Sequence, residues 1–141
     1  MNTSEKTLIT VKATVNAPVE KVWEFWTQPD HIIKWNFASD DWQSPWAKAD
    51  LHVGGKFSAR MEAKDGSFGF DFGGTYDVLD TNKHIVYTID DGRKVDIKFE
   101  SQGNTTEVIE TFEAESENPA ELQQQGWQAI MNNFKKYAES K

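Results

Sequence analysis

At 141 residues, with a formal net charge of −8 and no cysteine, the chain is long enough for one domain with a real core and excludes disulfide and thiolate chemistry. The acidic balance argues against nucleic acid and anionic membrane surfaces as partners, because phosphate binding needs a basic footprint. No apolar run approaches the ~20 residues that cross a bilayer, and Met1–Lys6 is polar, unlike a signal peptide, so a cytoplasmic protein is expected.

Thr7 to Val15 alternates, with Ile9, Val11, Ala13 and Val15 on one side, and reads as a half-buried strand. Asn16-Ala17-Pro18 breaks it and opens a short helix with Val19, Val22, Trp23 and Trp26 along one face. Pro29-Asp30 starts a second brief helix carrying Ile32, Ile33 and Trp35. Phe37 to Asp50 is rich in tryptophan and aspartate and holds Pro45, so it is expected to be irregular. A loop this aromatic either folds over the core or stands at a binding mouth.

Strands follow. Lys56 to Ala63 places Phe57, Ala59 and Met61 on one face; Phe68 to Leu79 places Phe68, Phe70, Phe72, Tyr76 and Val78 on one face. His84 to Asp90 alternates Ile85, Tyr87 and Ile89, Arg93 to Glu100 alternates Val95, Ile97 and Phe99, and Thr105 to Ala114 is the last strand. Turn residues lie between them at Lys64–Ser67, Asp90–Gly92 and Gln102–Asn104. The chain ends in a long amphipathic helix. Asn118 is its expected N-cap and Pro119 its first residue. Leu122, Trp127, Ile130, Met131, Phe134 and Tyr137 form the apolar face, and Gln123, Gln124, Gln128, Asn132, Lys135 and Lys136 the polar one. Gly126 interrupts this helix; it either opens space beside a cavity or permits a close helix–sheet contact, the commoner reason.

The order is therefore strand, two short helices, five strands, long helix: an α+β chain whose antiparallel sheet must cover its apolar face. The long helix supplies the cover, and a curved sheet around a helix leaves a wedge of space. Aromatic residues make up 13% of the chain, with six tryptophans and nine phenylalanines, which suits a large core or an aromatic-lined pocket.

The run Asn16–Trp23 after an alternating strand resembles the opening of START/Bet v 1-like (SRPBCC) domains. Lys34-Trp35, Val53-Gly54-Gly55-Lys56-Phe57, Gly74-Thr75-Tyr76 and Gly126-Trp127 are similar to the branch related to the C-terminal domain of the activator of Hsp90 ATPase. The resemblance spans roughly residues 7–138 of a single domain over 1–141 and implies a helix-grip fold with an internal cavity between sheet and C-terminal helix. It also implies a hydrophobic ligand, and by family analogy a chaperone partner.

Glu110 shares the inward phase of Val108 and Phe112, which puts a carboxyl near the pocket with a partner or a raised pKa. His31, His52 and His84 are scattered, and Asp40, Asp41 and Asp50 match no calcium-loop spacing, so no metal site is expected. No nucleophile elbow, phosphate loop or dinucleotide fingerprint occurs, so neither a catalytic constellation nor a cofactor is expected. The leading expectation is binding of a small, largely apolar or aromatic molecule. Its candidate residues are Trp35, Trp46, Phe70, Phe72, Tyr87, Trp127, Ile130, Met131 and Phe134, with Tyr87 and Glu110 supplying orientation. The alternatives are a chaperone-associated interaction protein with an exposed patch at Trp42 and Trp46, and an enzyme working through Glu110 and a tyrosine on a bound hydrophobic substrate.

Overall fold

The computed structural model describes residues 7–141; the polar start, Met1–Lys6, lies outside the described residues. The chain runs β1 (Leu8–Val15), α1 (Val19–Thr27), α2 (Pro29–Ile32), β2 (Trp42–Gln43), β3 (Ala47–Ala49), β4 (Lys56–Ala63), β5 (Gly69–Asp80), β6 (His84–Ile89), β7 (Lys94–Gln102), β8 (Thr105–Glu113) and α3 (Ala120–Glu139). Among the described residues the strands form one antiparallel sheet of order β1-β8-β7-β6-β5-β4-β2, with β3 also paired to β4. The sheet curls around α3, giving the helix-grip α+β architecture.

Alternation decides which side chains go inside. Val11, Val95, Ile97, Val108 and Phe112 are buried on the concave face, where α3 contributes Met131 and Phe134 and α1 contributes Val22 and Phe25. Trp35 donates its indole N–H to the Phe25 carbonyl at 2.9 Å, which ties the turn after α2 to α1 and satisfies a buried donor. His31 Nδ1 and the Tyr137 hydroxyl are 2.6 Å apart and lock α2 onto α3. Gly66, Gly92 and Gly103 take positive φ in the hairpin turns, where a Cβ would be strained.

Five local expectations are corrected. The stretch around Pro45 is not wholly irregular: β2 and β3 pair with β4, too briefly for their alternation to register. Val78 does not share the inner face of Tyr76, because the β5–β6 register shifts between Tyr76 and Val78; Leu79 then pairs with Ile85. Phe68 is also outside, 61% exposed. At the start of α3, Pro119 is itself the N-cap and Ala120 the first helical residue. Leu122 is exposed and Gln123 buried, because the Gln123 amide bonds to the backbone of Glu115 and Asn118 in the preceding loop.

The polar face of α3 is less solvated than its composition suggests. Gln124 donates to the Thr10 carbonyl, Lys135 to that of Thr14, and Gln128 both donates to the Lys12 carbonyl and accepts from the Lys12 N–H. The outward carbonyls of Thr10, Lys12 and Thr14 on edge strand β1, with the Lys12 N–H, are thereby occupied by the helix.

Candidate functional site

Between the concave face of the sheet, α3 and the two short helices lies a cavity of about 200 Å³. Trp26 and Thr27 from α1, Ile32, and Trp35 and Asn36 after α2 close one end. The walls are Phe57, Ala59 and Met61 on β4, Phe70, Phe72 and Tyr76 on β5, Ile85 and Tyr87 on β6, and Trp127 and Ile130 on α3. Ala47 and Lys48 of β3 and Ser58 of β4 complete the lining, and Glu110 of β8 faces in.

The aromatic walls form one connected set. Phe57 meets Tyr87 edge-on with centroids 4.6 Å apart and lies 5.1 Å from Tyr76, while Phe72 lies 6.2 Å from both Phe57 and Trp127. Each ring fixes its neighbour, so the chamber is preformed. Gly74 makes this possible: a Cβ there would sit 2.4 Å from the Thr88 carbonyl oxygen and 3.1 Å from the Phe57 ring.

Glu110 is 6% exposed and stands opposite Val11 on one side and Ile97 on the other. Among the described residues, nothing compensates its lost hydration. Burial alone pushes its carboxyl up to about 8. Tyr76 and Tyr87 face each other across β5 and β6. Burial pushes the Tyr76 phenol up to about 12, and burial together with Glu110 and Tyr76 pushes Tyr87 well above the ordinary phenol range. At neutral pH the chamber therefore presents a protonated carboxyl and two neutral phenols.

Of the ten residues expected at the site, the structure brings seven to the cavity: Trp35, Phe70, Phe72, Tyr87, Glu110, Trp127 and Ile130. Three lie elsewhere. Met131 and Phe134 are buried in the solid core, Phe134 wedged between the rings of Trp26 and Trp35 at 4.8 and 4.9 Å. Trp46 is 37% exposed, with the Lys48 ammonium 5.4 Å from its ring centroid. Trp26, Phe57, Met61, Tyr76 and Ile85 were not among the ten. Each lies on an inward face legible from its alternation or helical spacing, but periodicity does not say which inward positions border empty space. Gly126 lies outside the lining, and a Cβ built on it meets nothing within 4 Å, so the expected close helix–sheet contact is absent.

Residues 16–139 match the family model described as activator of Hsp90 ATPase homolog 1-like protein. The chain belongs to this family. An AHSA1-like protein from Aeromonas hydrophila, solved by NMR, is 44% identical over 95% of this chain and 93% of its own, with a TM-score of 0.89. A protein from Cytophaga hutchinsonii is 56% identical over 94% and 92% of the two chains, with a TM-score of 0.81. Protein NE0264 from Nitrosomonas europaea shares the fold at 17% identity and a TM-score of 0.80. Among curated proteins no relative matches. These three proteins match nearly the whole chain, so the fold described above is shared along its length. No helix among the described residues is long and apolar enough to cross a membrane.

Proposed function

We propose that this protein binds a small, largely apolar or aromatic molecule in the chamber between sheet and α3, with Glu110 and Tyr87 orienting it. The observation that carries this reading is the connected set of aromatic walls around about 200 Å³ of space into which one acid is turned. An apolar cavity of about 150 Å³ holds a benzene, whereas drug-sized ligands occupy about 300–1,000 Å³. The size therefore favours a single ring with a short substituent. The family's scaffold is commonly used for hydrophobic ligands, which supports the same reading.

Native mass spectrometry of protein purified gently from its host tests it, with ethylbenzene added to stripped protein as a reference ligand. A discrete excess mass lost on denaturation, or shifts of the Trp127 indole N–H on adding ethylbenzene, is the expected result. The cavity-filling variant Ala59→Leu should abolish either signal while keeping the native fold. Undiminished binding in a folded Ala59→Leu protein would overturn the placement.

A second reading is contact with a chaperone, which the family description suggests. It is supported by Trp42, Phe68 and Phe70, whose rings cluster within 6.3 Å on the rim of β2 and β5, Phe68 and Phe70 being exposed. Purified Hsp90 should then bind the wild type and lose affinity for Phe68→Ser. Equal binding of both, or none of either, would set this reading aside.

A further inference from the structure

We propose that the chamber selects a ligand carrying a positively charged nitrogen, with Glu110 as its counter-ion and the faces of Phe57, Phe72, Tyr87 and Trp127 as its cage. The inference rests on the binding reading above and adds the charge of the ligand.

A carboxyl buried between Val11 and Ile97 costs stability unless something repays its lost water. No side chain among the described residues does so. The titratable group coupled to it is the phenol of Tyr87, whose own ionisation is disfavoured by burial, by Glu110 and by Tyr76, and which brings no positive charge. Lys48 is the cationic residue in the lining. Its ammonium lies 5.4 Å from the ring centroid of Trp46, which is not in the lining, and it makes no contribution to the raised Glu110 carboxyl. The carboxyl is left with space in front of it and no basic partner.

Ring faces are electronegative and attract cations over anions. A buried carboxylate does the same. An anionic ligand such as a carboxylic acid would meet repulsion from both, and a neutral hydrocarbon would leave the acid unpaired. An ammonium fits both features at once. The net charge of −8 acts in the same direction at longer range by drawing cations toward the protein.

In the empty chamber burial pushes the Glu110 carboxyl up to about 8, so below that pH a proton occupies the position. An ammonium must displace that proton. Below that pH, binding of an amine should weaken by up to about tenfold per pH unit. Above it, affinity should level off until the amine deprotonates near about 10.4.

The test uses three probes of similar shape: 2-phenylethylamine, ethylbenzene and phenylacetate. Each is titrated into wild type and Glu110→Gln at pH 8, following the Trp127 indole N–H by NMR. The wild type should bind the amine at least about tenfold more tightly than ethylbenzene, with phenylacetate weakest. Glu110→Gln should keep ethylbenzene and lose the amine's advantage. In the wild type alone, saturating amine should lower the titration midpoint of the Glu110 carboxyl carbon by at least one unit, a readout independent of any variant's folding. Ethylbenzene binding with no preference for the amine, or an unmoved midpoint, would overturn the charge assignment and leave the cavity reading standing. Failure of all three probes would overturn both.

Discussion

Trp127 of α3 and Phe112 of β8 lie face to face, with ring centroids 3.7 Å apart and planes at 11°. This stack joins the helix to the strand that carries Glu110, two residues from Phe112. It also fixes the Trp127 ring as a wall of the chamber, with Phe72 edge-on to it at 6.2 Å. A single contact thus serves the helix–sheet seam and the candidate site together.

Breaking the stack should therefore cost both stability and binding. Trp127→Ala is expected to lose about 3 kcal/mol, at the low end for aromatic truncation because the ring is half-buried. In a double-mutant cycle with Phe112→Leu and Trp127→Leu, the coupling should be about 1 kcal/mol. Urea denaturation measures both. Additive losses would mean that the parallel rings contribute area and nothing specific.

Glu110 should impose an unusual pH dependence on stability. Its folded pKa of about 8 lies above the unfolded value of about 4.3, so the folded state holds this proton more tightly. The resulting stabilisation is full below about pH 4.3, falls as pH rises, and is gone above about pH 8. The slope is at most about 1.4 kcal/mol per pH unit. Glu62, Asp65 and Glu139 are lowered by hydrogen bonds, so their contributions vanish only as pH falls below the ordinary carboxylate range, a separate window. Thermal melts of wild type and Glu110→Gln from pH 5 to 9 should show the decline in the first and a flatter profile in the second. Parallel profiles would rule out a raised Glu110 pKa.

The inward phase of Glu110 was legible because Val108 and Phe112 flank it at two-residue spacing, a pattern the sheet can satisfy in one way. Strand β1, the long helix and the aromatic walls of β4 to β6 followed from the same periodicities, whereas β2 and β3 were too short to show one. Met131 and Phe134 show where that reasoning stops. They share a helix face with Trp127 and Ile130, yet they meet the solid core because Trp26 and Trp35 fill the space above Phe134. The bulge after Tyr76 was likewise invisible, since an extra residue in one strand exists only relative to its partner. Gln123 escaped notice because its burial depends on the loop that folds over it.

Gly126 offers a clean gain. It lies inside α3, and an added methyl would meet nothing within 4 Å. Gly126→Ala should raise stability by about 0.8–1 kcal/mol through helix propensity alone and leave ligand affinity unchanged. Chemical denaturation with ligand titration checks both halves. A destabilised variant would place an unseen constraint at this position.

Edge strand β1 is covered by polar side chains of α3. Gln128 satisfies both backbone groups of Lys12 through one amide, at 3.0 Å to the carbonyl and 3.3 Å from the N–H, while donating at 2.8 Å to Asn132. Gln124 and Lys135 hold the carbonyls two residues to either side. An uncovered β1 would be a row of free donors and acceptors, the usual template for pairing between copies. Gln128→Ala should cost about 1 kcal/mol and speed exchange of the Lys12 amide several-fold. The triple variant Gln124→Ala, Gln128→Ala, Lys135→Ala should go further and associate with concentration in sedimentation velocity more strongly than wild type. Unchanged exchange at Lys12 would show that water replaces the glutamine without loss. Unchanged association in the triple variant would mean that the helix backbone, and not its polar side chains, keeps β1 from pairing.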